Sequence, residues 1–516
     1  MKSLSFVSAV LVFALTPLAT TAGDARHVVL VVFDGMRPDF VKSETAPTLQ
    51  RLAEDGVFFE NHHPVYLSST EVNGTALATG FYPSHSGVIA NIEYRPRINP
   101  LLPIAIESPA NIRRGDTLSG GHYLAVATVS EILHAQGRTT AIAGSKQVAL
   151  LHDRAERPDD ARSAMLFEGM SLPPRVAAAA VTQQGAFPPA TADSKRERDD
   201  WTTTALLENL WANGVPDFTV LWLAEPDYAQ HATGPGSDVA LAAIRNSDAN
   251  LGRVLAALDK RGVRAETDVL VVSDHGFSTV ERSVDIVAGL RAAGFTAMRA
   301  LNATPAPGTV LVISNGNTCC LYVVDHDAAI VQRLVDWLQQ QECTGVIFTR
   351  EARAGTFSLA QAHIDSPDAP DVVVSLRWRA EANAVGAPGI SLTEGTSRKP
   401  GQGNHAGLCR FDQHNTLVAA GPDFRRGIRD PLPTGNVDVA PTILWLLGVT
   451  PPQPMDGRVL SEALTVAAPP LTHVDFRRLE ADHAGDQSTW HQYLLTSEVN
   501  GVLYLDEGNG ELRPKQ

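Results

Sequence analysis

Five stretches of the chain are apolar almost throughout and too short for helices. They are HVVLVVF (27–33), TTAIA (139–143), FTVLWL (218–223), DVLVV (268–272) and TLVAA (416–420). A sheet with one wet face would alternate apolar and polar residues. Continuous runs instead fit strands buried on both faces of a parallel sheet. Helical patterns lie between them, around 47–55, 127–136 and 239–260. Strands alternating with helices predict an α/β fold, with a mostly parallel central sheet and helices on both faces. Four of the runs are followed by charged residues: Asp34, Lys146, Asp227, and Asp274 with His275. Open parallel sheets place ligand sites beyond the carboxyl ends of their strands. Four strands are thus predicted to deliver side chains to one edge.

The same pattern divides the chain. A catalytic core is expected to run from 23 to 282 and to resume from 371 to 465. Between 283 and 370, VLVISN (310–315), CLYVVD (320–325), a helix near 328–340 and VIFTR (346–350) read as a small α/β insertion. Residues 466–516 read as a C-terminal extension whose Asn500-Gly501 step predicts a hairpin turn. The polar, Pro-containing stretch 182–200 is a loop candidate. Residues 1–22 read as a secretory signal: Lys2, an apolar stretch from Leu4 to Leu18, then Thr20, Thr21 and Ala22, with cleavage just before Gly23. That stretch is short for a membrane span. The expectation is an exported protein, periplasmic or secreted, with no span in its mature form.

Composition narrows the partners. A formal net charge of −15 with no long Lys/Arg run argues against binding a nucleic-acid duplex. A small phosphorylated substrate is compatible with it, because bound metals reverse the local field of an acidic protein. The four cysteines, Cys319, Cys320, Cys343 and Cys409, lack zinc-finger spacing. Export permits a bridge from Cys343 to Cys319 or Cys320, against the alternative of buried free thiols. Nothing in the sequence sets the oligomeric state.

The strand-end residues form a chemical set. Asp227 and His231 have three residues between them in EPDYAQH, a spacing that could present both to one metal. Asp274 and His275 are adjacent in SDHG, His405 sits in GNHAG, and Asp34 precedes Gly35. Three carboxylates and three imidazoles suit zinc, which in catalytic sites takes three protein ligands and keeps one position open. Singly, each residue has an ordinary reading as a loop or surface group; their order along the strand ends carries the inference. The segment SSTEVNGTALATG (68–80) reads as a helix start. Thr70 there is either a helix cap or a nucleophile activated by a metal.

The chain resembles the nucleotide pyrophosphatase/phosphodiesterases of the alkaline phosphatase superfamily. The resemblance rests on FDGMRPDF (33–40), the Thr70 segment with TGFYPSHSGV (79–88), ANIEYRPRINP (90–100), EPDYAQHATGPGS (225–237), SDHGF (273–277), GNHAG (403–407) and DVAPTILWLLG (438–448). It implies an alkaline-phosphatase-like core. It also implies one zinc held by Asp227, His231 and His405, and a second by Asp34, Asp274, His275 and the Thr70 oxygen. Thr70 is then the nucleophile, and Asn91 contacts a phosphoryl oxygen. The family commonly has Phe-Pro-Asn-His after the nucleophile, where an aromatic ring helps stack a base; here Glu71, Val72, Asn73 and Gly74 follow Thr70. Lys146 resembles a substrate-contacting lysine of related Thr-dependent phosphomonoesterases and phosphonoacetate hydrolases. The second cation usual in those enzymes is replaced by Val148. Lys146 alternatively reads as a solvated loop residue. No Cys/Ser-x-Pro-x-Arg pattern lies near Thr70, which argues against a sulfatase.

The expectation is therefore a two-zinc phosphodiesterase/nucleotide pyrophosphatase working through a phosphothreonine on Thr70. The rivals are a phosphomonoesterase or phosphonate hydrolase that uses Lys146, and a non-catalytic exported binding protein.

Overall fold

The computed structural model describes residues 23–155, 163–190, 195–466 and 473–515. Nine strands form the central sheet: β1 (His27–Phe33), β2 (Val57–His63), β3 (Thr140–Gly144), β4 (Ala164–Phe167), β5 (Met170–Leu172), β6 (Phe218–Leu223), β7 (Thr267–Val272), β8 (Leu417–Ala420) and β9 (Ile428–Gly435). Their spatial order is β9-β2-β8-β7-β1-β6-β3-β4-β5. The centre, β7-β1-β6-β3-β4, is parallel throughout. The run at 416–420 runs the other way: β8 is antiparallel to both β7 and β2.

The apolar runs are continuous because both faces of the sheet are covered. Along β1, Val28, Leu30 and Val32 pack into one core, while Val29, Val31 and Phe33 pack into another on the opposite face. Burying each such side chain contributes about 1.5–3 kcal/mol. A charge at Leu30 or Val31 would therefore have no wet face to turn to.

The helices that matter for the site are α1 (Pro47–Asp55), α2 (Thr70–Thr79), α3 (Asp227–Thr233), α4 (Asp238–Arg261) and α5 (Val439–Leu446). Helix α1 starts with Pro47 but has no capping side chain of its own. Asp248 from α4 supplies the cap, accepting the N–H groups of Thr48 at 3.0 Å and Leu49 at 2.8 Å. The polar stretch at 182–200 is only partly loop: helices Arg175–Gln184 and Arg196–Ala205 claim its two ends.

Residues 297–376 build a separate six-stranded sheet in which Val372–Leu376 lies between Thr318–Val323 and Thr344–Thr349. This sheet therefore extends past position 370, into residues that the sequence pattern assigned to the core. Cys319 sits on Thr318–Val323, and Cys343 immediately precedes Thr344. A whole strand separates them, which at strand spacing means about 10 Å between backbones. A disulfide needs Cα atoms within about 7 Å. All four cysteines are buried free thiols.

At the C-terminus, strands Val474–Ala484, Ser488–Val499 and Val502–Pro514 form an antiparallel sheet. Asn500 (φ 50°) and Gly501 (φ 90°) make the tight turn, the backbone signature of an Asn-Gly hairpin. Tyr504 ties this sheet to the core by donating from its hydroxyl to Asp438 Oδ2 at 2.7 Å.

Candidate active site

The carboxyl ends of β1, β3, β6 and β7 lie level, because Phe33 pairs with Leu223, Val32 with Val272, and Gly144 with Trp222. Asp34 follows β1 directly. Asp227 opens α3, and its N–H donates to the Asp34 carbonyl at 2.9 Å. Gly35 is confined to glycine: its φ is +73°, and a Cβ there would lie 3.0 Å from the Phe277 ring and 3.2 Å from Asp227 Cα. The Gly35 N–H donates to Asp274 Oδ1 at 2.9 Å, and the Met36 N–H to Ser273 Oγ at 2.7 Å. The ends of β1 and β7 are stitched together there.

Thr70 is the first residue of α2, and Ser69 holds the cap position. The Thr70 hydroxyl does not cap the helix; its Oγ1 lies 3.3 Å from His275 Nε2. Asn91 Oδ1 accepts the N–H of Glu71 at 3.1 Å, which places Asn91 beside the start of α2 and leaves its amide nitrogen as the available donor. All of α2 is buried.

The structure brings Asp34, Asp227, His231, Asp274, His275 and His405 to this one rim, together with Thr70 and Lys146. Asp227, His275 and His405 offer ligand atoms within 4.8 Å of one another, and so do Asp34, Asp274 and His275. His275 thus belongs to both tight groups. His231, expected beside Asp227 and His405, stands just outside them, with Nε2 3.2 Å from Asp227 Oδ1. The His275 and His405 rings stack, with centroids 3.6 Å apart.

The donor set fits divalent metal ions. Each imidazole turns its Nδ1 to a backbone carbonyl: His231 to Gly403 at 3.0 Å, His275 to Gly276 at 2.9 Å, and His405 to Ser68 at 3.0 Å. A carbonyl only accepts, so Nδ1 carries the proton and Nε2 presents a lone pair to the rim, the arrangement usual for metal-binding histidines. Those lone pairs face carboxylate oxygens. Nε2 of His275 lies 3.3 Å from Asp274 Oδ2 and 3.6 Å from Asp34 Oδ1, and Nε2 of His405 lies 3.6 Å from Asp227 Oδ1. Asp34 Oδ1, Asp227 Oδ1 and Asp274 Oδ2 are buried and receive no hydrogen bond. Acceptor facing acceptor in a buried site costs free energy unless a cation lies between.

Burial lowers the pKa of His231, His275 and His405, which favours the neutral, ligating form. It pushes Asp274 up to about 6. Burial and the neighbouring Asp274 also raise Asp34. Burial alone would raise Asp227 too, but Lys146 and His231 outweigh it and hold that carboxyl well below its ordinary range.

Lys146 is no solvated loop residue. Only 11% of its side chain is exposed, and its Nζ donates to Asp34 Oδ2 at 2.9 Å and Asp227 Oδ2 at 3.0 Å. Burial opposes its charge, but Asp227 and Asp34 prevail and hold the ammonium well above its ordinary pKa.

Three residues to which the sequence pattern assigned no role also shape the rim. Trp222 donates its indole N–H to Asp34 Oδ2 at 2.8 Å. Asn436 donates to the Asp274 carbonyl at 2.8 Å and to Asn73 Oδ1 at 2.9 Å. Asn73 Nδ2 donates to the carbonyls of Val65 and Ser69, at 3.0 and 3.1 Å, and so braces the turn into α2.

The match to a family model, with the fold beside it, places the molecule in the alkaline phosphatase superfamily, as an enzyme that hydrolyses phosphoric esters. The model of the family described as type I phosphodiesterase / nucleotide pyrophosphatase matches residues 28–394, and the chain belongs to that family. Among its relatives is a mouse bis(5'-adenosyl)-triphosphatase, 21% identical over 430 residues, which cover 83% of this chain and 78% of the relative. Venom phosphodiesterase 2 of Crotalus adamanteus is 23% identical over 260 residues, 49% of this chain but only 27% of that enzyme. Human ectonucleotide pyrophosphatase/phosphodiesterase 5 shares the fold, with a TM-score of 0.61 at 17% identity over 85% of this chain and 100% of the other. Among the described residues no helix is long and apolar enough to cross a membrane.

Proposed function

We propose that the protein is a two-zinc phosphodiesterase or nucleotide pyrophosphatase that works through a covalent phosphothreonine on Thr70. The observation that carries this reading is the set of three buried carboxylate oxygens without donors, facing neutral imidazole nitrogens beside Thr70. Asp227, His231 and His405 would hold one ion; Asp34, Asp274, His275 and the Thr70 oxygen would hold the other. Bound there, such a pair supplies Lewis-acid stabilisation of the attacking and departing oxygens.

The chain's own residues do the rest. Thr70 Oγ1 attacks phosphorus opposite the leaving oxygen; the new Oγ1–P bond forms as the bond to the leaving oxygen breaks. Water then cleaves the Oγ1–P bond and restores the hydroxyl. Asn91 donates from Nδ2 to a non-bridging oxygen. The amino end of α2 favours the anion electrostatically. Glu71 stands where an aromatic ring would help stack a nucleotide base, so the organic group of the substrate is recognised by other means.

A second reading, phosphomonoester or phosphonate hydrolysis, draws on Lys146, whose ammonium reaches the rim. The non-catalytic reading has the least support, because every candidate ligand converges. We further propose that the protein is exported and matures by cleavage before Gly23. Hydrolysis of bis-p-nitrophenyl phosphate and p-nitrophenyl phosphate, with and without chelator, tests these readings. Chelator-sensitive turnover that favours the diester is expected. Turnover that favours the monoester selects the second reading, and no turnover by zinc-loaded protein sinks both.

A further inference from the structure

Far from the rim, two buried carboxylates meet where the described chain begins. Asp268 is 0% exposed and Asp423 1%. Asp268 opens β7 from its second residue, and its Oδ1 accepts the N–H of Asp423 at 3.3 Å. Its Oδ2 is buried and receives no hydrogen bond. Asp423 turns its carboxylate to the N-terminal segment: Oδ1 accepts the Asp24 N–H at 2.7 Å, and Oδ2 the Ala25 N–H at 2.9 Å. Gly23 packs directly on this group. A Cβ at that position would lie 2.5 Å from Asp423 Oδ2 and 2.8 Å from the Leu446 carbonyl. That carbonyl belongs to the last residue of α5, at the end of a helix that attracts positive charge.

The cations nearby are engaged elsewhere. Arg26 pairs with Glu266 at 3.3 Å, and Arg138 bonds Asp217 at 2.8 Å and the Leu447 carbonyl at 3.1 Å. Arg264 acts on Asp268 only through space. Burial, then Asp423, pushes Asp268 up to about 9. The two buried acids thus share a proton through a side-chain hydrogen bond and meet no bonded cation among the described residues.

We propose that Asp423, Asp268 and the carboxyl end of α5 form a binding site for the α-ammonium group of a chain that begins at Gly23. Hydrolysis of the Ala22–Gly23 bond by a peptidase of the export route consumes one water. It leaves a carboxylate on Ala22 and an ammonium on Gly23. The uncleaved peptide nitrogen has one N–H and no charge; the ammonium has three donors and a full charge. Asp423 Oδ2 and the Leu446 carbonyl lie against the Cα of Gly23, the atom that carries the amine, and the added charge lets both carboxyls ionise. Only glycine lets the backbone approach this closely. Cleavage at this bond thereby locks the N-terminus to β7 and α5.

This inference rests on the export reading, and two measurements keep the two apart. Sequencing the N-terminus of the exported protein tests the leader, with Gly23 expected first; any other first residue overturns the proposal. Independently, protein prepared with a free Gly23 amine is compared with the same chain acetylated at Nα. The free amine should titrate above about 9, against an ordinary value of about 7.7–8.0. Acetylation should lower Tm by about 2–4 °C. An ordinary titration or an unchanged Tm overturns the site. In Asp423→Asn the acetylation effect should vanish; its persistence would put the partner elsewhere. Should that variant fail to fold, the comparison of free and acetylated wild type still decides.

Discussion

Two buried polar layers lie back to back at the carboxyl edge of the sheet, and they are built in opposite ways. In the rear layer His62 uses both ring nitrogens, Nδ1 with Thr434 Oγ1 at 2.8 Å and Nε2 with Asn436 Oδ1 at 2.9 Å. Asn436 and Asn73 likewise use both ends of their amides. In the front layer three carboxylate oxygens receive no hydrogen bond, although imidazole nitrogens face them. A satisfied network holds position; an unsatisfied one of a single polarity is waiting for charge. The difference separates residues that place the site from residues that act in it, although most of both are buried.

The largest expected effect belongs to the front layer. Thr70→Ala should retain bound zinc and lose at least about a thousandfold in kcat, as loss of a nucleophile typically does. Wild-type-like turnover in a zinc-loaded variant would remove Thr70 from its role. Next, Asp227→Ala and His405→Ala should each empty one metal position more than the other. Two full equivalents of metal in both variants would dissolve the distinction between the layers.

Lys146→Ala sharpens the comparison from the side. A lost charge-assisted hydrogen bond costs about 1.5–3 kcal/mol, or about 10- to 150-fold in rate. A monoester carries one more negative charge than a diester, so kcat/KM for monoesters or phosphonates should fall by that order, and for diesters less. Equal, near-unity ratios would end the second reading. In the rear layer, Asn436→Ala frees the Asp274 carbonyl and Asn73 together. By analogy with outer-shell residues of metal sites, kcat should fall about 10- to 100-fold, with KM little changed. An effect as large as that of Thr70→Ala would mean that the rear layer does more than hold position.

Much of the front layer was legible in the sequence, because strand ends advertise themselves. The runs 27–33 and 218–223 coincide with β1 and β6, and the charged residues after them reach the rim. Direction was not legible: TLVAA shows burial on both faces, and an antiparallel strand buried the same way reads alike. The end of the insertion was missed for a similar reason, since VVVSL serves either sheet equally well. The shared position of His275 was also hidden, because chain order does not reveal which of two adjacent metal groups a side chain sits between. The rear layer was invisible, because Asn73 and Asn436 carry no periodicity and no charge, and their role exists only once β2, α2 and the loop after β7 meet.

Trp222 joins these themes in optical terms. Its indole is wholly buried, and its N–H points at Asp34 Oδ2. A divalent ion arriving at Asp34 changes the electric field along that ring. The intensity or wavelength of its fluorescence should therefore shift as zinc is titrated into metal-free protein, and Trp222→Phe should erase that part of the signal. The side chain that steadies one carboxylate is also a built-in lamp for reading the occupancy of the site without any substrate.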